Sequence, residues 1–238
     1  MTKRTLHIGK NSIFGCYAES IGENTISHSC FLATSSKESL KDYDILIISA
    51  FAPSNKNGEY NDDLILDVLN KVTGQTIIYI STCRIGVPQM FENHYVQSKK
   101  RQEDLLMSAN IGTTVVKRLP IVVPHLYLEK ELQGFLRQVS ENVRQNSSFV
   151  FDVSVKSTWN FVSIADVFER LSILKSENIV GSHDIELGAL QNALGRTHDL
   201  SVASFGKKIV HYSVENELPN YYVQKSIKYT LEDIVNAV

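Results

Sequence analysis

The chain has 238 residues and 26.8 kDa, with 43% hydrophobic and 21% charged side chains, the make-up of an ordinary globular protein. At this size about 70% of the unfolded surface can be buried, enough for one sizeable core, so disorder, collagen and coiled coil are excluded as the main state. The net charge of −2 provides no basic field for nucleic acid or for an anionic membrane surface.

In chain order, Thr5–Ile8 reads as a strand ending at Gly9, and Phe14–Ile21 as a short helix. Ser29–Thr34 reads as a second strand. Asp44–Ala50 (DILIISA) is a near-continuous apolar run closed soon after by Pro53. Asp62–Val72 carries Leu64, Ile65, Val68 and Leu69 on one side of a helix. Thr76–Ile80 is another apolar strand, Tyr95–Ala109 a helix and Thr113–Arg118 a strand. Apolar strands separated by helices predict a parallel sheet covered on both faces, a Rossmann-like doubly wound α/β core. Further on, Glu129–Gln145, Asp166–Leu174, Asp184–Leu194 (closed by Gly195) and Thr230–Val238 read as helices, and Ser148–Val155 as a strand. No repeat or long linker interrupts the chain. One compact unit is expected, with residues 1–124 as the core and 125–238 as substrate-side elements interleaved with the last core strands and helices.

Lys3 and Arg4 open the chain, but Gly9, Lys10 and Asn11 soon break the apolar character, so neither a signal nor a transit peptide is expected. The longest apolar runs are of strand length and predict no bilayer span. Cys16, Cys30 and Cys83 are odd in number and lack Cys-x-x-Cys spacing, and the seven histidines show no metal-ligand spacing. A reduced, cytoplasmic protein without a metal is expected.

Ligands of such sheets sit beyond the carboxyl ends of the strands, so motifs there carry the functional argument. Gly9, Ser12 and Gly15 form a Gly-x-x-Ser-x-x-Gly loop between the first strand and the first helix, with Ile13 inside it. Small residues there let backbone N–H groups and a helix N-terminus approach a pyrophosphate, although a glycine also simply punctuates strand ends. After the expected second strand come Ser35, Ser36 and Lys37, with no acid at the turn. Hydroxyls and an ammonium suit the 2′-phosphate of NADP better than the 2′-hydroxyl of NAD; the alternative is a polar turn in which Ser36 caps a helix.

Tyr95 and Lys99 are four residues apart and share one helix face. The chain has a second such pair, Tyr221 and Lys225, in a polar segment after Pro219 with no preceding apolar strand, and it reads as coincidence. Tyr95 instead follows the strand ending in Ile80, Ser81, Thr82 and Cys83. A phenol exchanges protons near neutral pH only if its pKa falls by about 3 units from 10, about 4 kcal/mol, and an ammonium about 5 Å away supplies most of that. Lys99 can tune the phenol and bond ribose hydroxyls, while Thr82 holds the substrate oxygen with which Tyr95 exchanges its proton.

With these motifs in order, the chain resembles the extended short-chain dehydrogenase/reductase family, in its nucleotide-sugar epimerase, dehydratase and reductase branch. Gly9–Gly15 looks like the cofactor loop, and Asp44–Ala50 like the strand leading to the cofactor-side segment, which implies cofactor contacts at Ser49, Ala50 and Phe51. Ile77–Cys83 (IIYISTC) looks like the strand bearing the catalytic Ser/Thr, with Ile80 on the cofactor side. Thr114–Pro124 (TVVKRLPIVVP) is similar to the Arg-Leu-Pro segment beside the nicotinamide, which places Pro120 there. Phe161–Val167 (FVSIADV) is similar to a later phenylalanine–valine–aspartate segment. The resemblance implies NAD or NADP binding, hydride transfer at a carbinol or carbonyl carbon, Tyr95 as general acid/base, Lys99 on the ribose and Thr82 on the substrate oxygen. It also implies a homodimer joined through helices 62–72 and 95–109.

The pattern departs from the family at Ser12, where a glycine is common, and at Gly86, often a tyrosine. It also departs at Ile121 and Val123, where asparagine and glycine are common, and the 82–95 segment is short. These losses favour a reductase over an epimerase or dehydratase. Substrate-side candidates are Cys83, Arg84, His125, Trp159 and Asn160, with Trp159 alternatively a core or lid anchor. A thiol mechanism at Cys83 needs a neighbouring cation or histidine to form the thiolate. Two further readings stand beside the nucleotide-sugar enzyme: a non-catalytic NAD(P)- or sugar-nucleotide-binding protein, and a reductase of a small non-sugar carbonyl.

Overall fold

The computed structural model describes residues 3–49, 62–87, 90, 92–123, 134–145, 147–151, 153–181, 184–198, 202–207, 209, 211, 223–227 and 234–235. Strand β1 (Thr5–Ile8) leads into helix α1 (Ile13–Ser20), then β2 (Asn24–Ile26), α2 (His28–Thr34), α3 (Lys37–Leu40) and β3 (Ile45–Ile48). Helix α4 (Asp63–Lys71), β4 (Thr76–Thr82), a 3₁₀ turn (Cys83–Gly86), α5 (His94–Ser108) and β5 (Thr114–Leu119) follow. The remainder comprises β6 (Ile121–Val123), α6 (Gly134–Gln145), β7 (Phe149–Phe151), β8 (Thr158–Trp159), β9 (Phe161–Ser163), α7 (Ile164–Leu171), β10 (Glu177–Gly181), β11 (Ile185–Glu186), α8 (Leu187–His198), β12 (Val202–Phe205) and β13 (Val223–Ile227).

Seven strands form the central sheet in the order β2-β1-β3-β4-β5-β10-β13, with every neighbouring pair parallel. The four residues of β3 are all buried because helices cover both faces, which is why the sequence reads there as one apolar run. On one face Leu46, Ile48, Ile77 and Tyr79 pack against Phe31, Leu64, Val68 and Leu106 from α2, α4 and α5. On the other, Ile45, Ile47, Ile78 and Ile80 pack against Ile13 and Phe14 of α1 and Ile164, Val167 and Leu171 of α7. A third cluster joins Val123, Leu136, Phe161, Leu187 and Leu190 in the later part of the chain, with Trp159 against it.

The expected strand at 29–34 is helix α2. Ser27 caps it by accepting from the Cys30 N–H, and only Phe31 of its residues is buried, so the apolar run serves a one-sided helix. The second strand is instead the three-residue edge strand β2, whose exposed or half-buried Asn-Thr-Ile gives little hydrophobic signal. Strand β10 has no predicted counterpart, because Glu177 and Asn178 break its apolar pattern although all five residues are buried. The helix expected at 184–194 begins with strand β11 and then runs through Gly195 to His198. Among the described residues only β7 forms within the strand expected at 148–155. Pro53, residues 129–133, Tyr221 and most of 230–238 lie outside the described residues, while Lys225 sits in β13.

Buried charges fasten the sheet to its helices. Arg118 of β5 makes a two-pronged contact with Glu103 of α5, at 2.6 Å from Nη2 and 3.0 Å from Nε. Lys117, fully buried, reaches Glu177 at 2.7 Å, and Arg170 closes on the same carboxylate. The Arg-Leu-Pro segment therefore turns its arginine towards α5. Among the described residues no helix is long and apolar enough to cross a membrane.

Candidate active site

The strand order reverses around β1: the chain passes from β1 to β2 on one side and then to β3 on the other, so a crevice opens beyond their carboxyl ends. A cleft of about 360 Å³ lies there. Its cofactor-loop wall is Ser12, Ile13 and Phe14, with Ser49 from the end of β3. Its opposite wall is Ile80, Ser81 and Thr82 from β4, with Tyr95 and Lys99 from α5. Leu119, Pro120 and Val122 close the β5 side.

The loop is built for close approach. Gly9 has φ 128°, a conformation that side chains disfavour, and Gly9 and Lys10 donate N–H bonds to the Ile26 carbonyl at 2.8 and 3.0 Å. A Cβ on Gly15 would stand 2.2 Å from the Gly9 carbonyl oxygen, so α1 rests directly on the loop. Ser12 caps α1: its Oγ accepts from the Gly15 N–H at 3.1 Å and lies 2.8 Å from Ser49 Oγ. The N-terminus of an eight-residue helix thus meets a cleft whose loop side carries the hydroxyls of Ser12 and Ser49, which fits a pyrophosphate.

Asn93 Oδ1 caps α5 by accepting from the Val96 N–H and sets the helix phase that turns Tyr95, half-buried, and Lys99 into the cleft. The buried face of α5 is polar, with Lys99, Gln102 and Glu103 on it. Tyr79 donates to Gln102 Oε1 at 2.6 Å, and Gln102 donates to Asp62 Oδ1 at 3.0 Å, which fixes α5 against β4 and the start of α4. Lys99 Nζ donates to the Ile80 carbonyl at 2.8 Å and stands 4.6 Å from the centre of the Tyr79 ring. Burial pushes its ammonium down to about 7, with Glu103 acting in the opposite direction. Thr82 Oγ1 accepts from the Arg84 N–H at 3.2 Å, which leaves its own proton to donate.

Other expected residues fall elsewhere. Ser35 and Ser36 lie between α2 and α3, and Ser36 forms a capping box with Ser39, so neither stands at the end of β2. The residues that follow β2 are Ser27 and His28. Cys83 and Arg84 begin the 3₁₀ turn just past the cleft. Burial pushes the Cys83 thiol up to about 12, which opposes thiolate chemistry. Trp159 pairs with Ile185 and packs on the third cluster. Asn160, almost fully buried, accepts from the Gly181 N–H at 2.6 Å and donates to Asp184 at 2.9 Å, clamping β9 to β10. Ala50, Phe51 and His125 lie outside the described residues. Sequence reasoning did not single out Ser81, whose Oγ is buried with no hydrogen-bond partner among the described residues, or Phe14; adjacency to Thr82 and to Ile13 was the available signal.

No protein-family model and no curated protein matches the chain. Solved structures do. UDP-glucuronic acid 4-epimerase from Bacillus cereus, in complex with UDP-glucuronic acid and NAD, is 15% identical with a TM-score of 0.73, and the match covers 98% of this chain and 97% of that one. UDP-N-acetylglucosamine 4-epimerase from Methanobrevibacter ruminantium M1 is 14% identical with a TM-score of 0.68, covering 98% and 91%. RMD from Pseudomonas aeruginosa, complexed with NADPH, is 14% identical with a TM-score of 0.65, covering 99% and 97%. At such identities the likeness establishes a shared architecture: the chain has the Rossmann-like α/β fold of these proteins, as the ordered motifs implied.

Proposed function

We propose that the chain is a nicotinamide-dependent oxidoreductase of the extended short-chain dehydrogenase type, acting on a keto-sugar carried by a nucleotide, as a reductase or an epimerase. The observation that carries this reading is the convergence of Ser12, Tyr95, Lys99 and Thr82 on one cleft at the point of strand reversal. The similar structures are complexes with UDP-glucuronic acid and NAD, with NADPH, and with UDP-N-acetylmuramic acid, which supports the same ligand classes here. In this reading the Gly9–Gly15 loop and the α1 N-terminus hold the pyrophosphate, and Ser49, Ile80 and Pro120 flank the nicotinamide side. A bound nicotinamide supplies or accepts the hydride. Thr82 donates to the substrate oxygen and Tyr95 exchanges the proton with it, while Lys99 bonds ribose hydroxyls and favours the phenolate. NADP is preferred over NAD because Ser27 and His28, which follow β2, bring no carboxylate to a ribose 2′-hydroxyl.

A homodimer through α4 and α5 belongs to the same proposal. An apolar groove of about 670 Å³ runs along α5 past Ile85, Val96 and Leu105, and Leu66 and Met107 are exposed on the two helices. One observation favours a second reading, a binding protein without turnover: Ser12 already occupies the Gly15 N–H that a pyrophosphate would use.

The deciding experiment titrates NADPH and NADH by fluorescence and assays turnover over a panel of nucleotide sugars and simple ketones. Tyr95→Phe should abolish turnover with cofactor affinity within about twofold of the parent. Full activity in that variant overturns the role of Tyr95. Tight binding without turnover selects the binding protein, and turnover of ketones alone selects a small-carbonyl reductase.

A further inference from the structure

We propose that Glu103, gripped by Arg118 of β5, is a positioning residue of the cleft whose carboxylate keeps the Lys99 ammonium charged. The inference rests on the reading of Lys99 given above, as the group that bonds ribose hydroxyls and favours the phenolate, and it names what governs the charge of that lysine.

Lys99 and Glu103 stand one turn apart on the buried face of α5, each only 3% exposed. An ammonium so enclosed is costly unless acceptors and an opposite charge meet it. Lys99 Nζ donates to the Ile80 carbonyl at 2.8 Å and lies 4.6 Å from the centre of the Tyr79 ring. A carbonyl and a ring face attract a cation but carry no full charge. Glu103 brings one from the next turn. Its carboxylate is fixed by the Arg118 fork, at 3.0 Å from Nε and 2.6 Å from Nη2.

The other ionisable groups on the elements packed around Lys99 do not take this part. Burial pushes the Tyr79 phenol of β4 and the Cys83 thiol of the 3₁₀ turn up, so both are neutral near neutral pH. Arg84 of the same turn and Arg118 are cations, and Lys117 of β5 is bound to Glu177 of β10. Asp62, at the start of α4, is taken by Arg101 and Gln102. Tyr95 is the partner that Lys99 serves. Burial lowers the Lys99 pKa to about 7 against the field of Glu103, so a small loss of that field decides its charge.

The test follows the side-chain titration of Lys99 by NMR in the whole chain carrying isotope-labelled lysine, with the signal assigned by its loss in Lys99→Met. Glu103→Gln keeps the shape and an acceptor for Arg118 but removes the charge, and its midpoint should fall by about one pH unit. Glu103→Asp keeps a carboxylate and should restore most of that fall. If Glu103→Gln does not fold by circular dichroism, the double variant Glu103→Gln, Arg118→Met removes both charges, and its midpoint should fall by about half a pH unit. With NADPH and substrate, the basic limb of kcat/KM should move down with the midpoint. A merely structural Glu103 would lower stability and leave the midpoint where it is. An unmoved or raised midpoint, or a limb that stays while the midpoint falls, overturns the role of Glu103. The titration needs neither cofactor nor substrate, so a fallen midpoint in a chain without turnover supports the tie between Glu103 and Lys99 and counts against the enzyme reading alone.

Discussion

Ser12 Oγ lies 2.8 Å from Ser49 Oγ and joins the loop after β1 to the end of β3 across the point where the strand order reverses. The bond spans the crevice where doubly wound folds hold a dinucleotide. Because Ser12 Oγ also accepts from the Gly15 N–H, the hydroxyl stabilises α1 while competing for a donor that a pyrophosphate needs. Ser12→Gly should therefore lower thermal stability slightly, by a few tenths of a kcal/mol, and tighten NADPH binding about three- to tenfold. Fluorescence titration of parent and variant measures this. Weaker binding would mean that the hydroxyl itself donates to the phosphate.

Gly15 offers a sharper steric test. An added Cβ would meet the Gly9 carbonyl oxygen at 2.2 Å and Lys10 Cα at 2.6 Å, both backbone atoms that cannot swing aside. Gly15→Ala should cost about 2–3 kcal/mol in urea unfolding and push α1 off the loop, with loss of cofactor binding. Parent-like stability would show that the loop yields more readily than its hydrogen bonds to Ile26 imply.

In the proposed reading Lys99 sets function against stability. Burial lowers its pKa to about 7 from an ordinary 10.5, so between these values the unfolded chain binds more protons than the folded one. Stability should rise as pH increases from about 7 towards 10.5, by at most about 5 kcal/mol. Below pH 7 the penalty is fully present. Lys99→Met should flatten that slope and raise the melting temperature at pH 7, despite losing the bond to the Ile80 carbonyl, while abolishing turnover. Urea melts at a series of pH values separate this from a neutral substitution.

How far the sequence disclosed this arrangement depends on where polarity and burial coincide. Strands β3 and β4 and helix α4 were legible because their burial is apolar and follows its period. Helix α5 buries Lys99, Gln102 and Glu103, so its phase came from the Tyr95–Lys99 pair and not from hydrophobicity. Strand β10 was missed because Glu177 is buried against Lys117, 60 residues away in sequence, and Asn178 is buried in register with Arg118, so neither signals a strand locally. The cofactor-phosphate argument was placed on Ser35 and Ser36 because β2 is a short edge strand with almost no apolar signal, while α2 carries the run that mimics a strand. Asn160, placed beside a substrate by analogy, serves as a clamp between β9 and β10, a role no local pattern announces.

His7 predicts acid sensitivity. Its pKa falls from 6.5 to about 4 through burial, so the unfolded chain takes up the proton first as pH drops. This group should remove about 3 kcal/mol of stability between pH 6.5 and pH 4, with no further loss below that. His7→Phe should show a correspondingly shallower decline over the same window in denaturant titrations. An identical decline would place the acid sensitivity elsewhere.

The two hydroxyls at the end of β4 divide between faces of the sheet. Ser81 pairs in register with Arg118, which is bound to Glu103 of α5, and Thr82 pairs with Leu119, which packs in the cluster of α1 and α7. Alternation thus puts Ser81 on the side of Tyr79 and α5, buried and without a partner among the described residues. Thr82 keeps a donatable proton because its oxygen is oriented by the Arg84 N–H. If Thr82 polarises the substrate oxygen, Thr82→Val should lower kcat about 10²–10³-fold with NADPH affinity unchanged. Ser81→Ala should lower it less than about tenfold and leave stability equal or higher, since an unmet buried hydroxyl is removed. The opposite ranking would transfer the substrate-holding role to Ser81 and leave Thr82 as the residue that turns the chain out of the sheet.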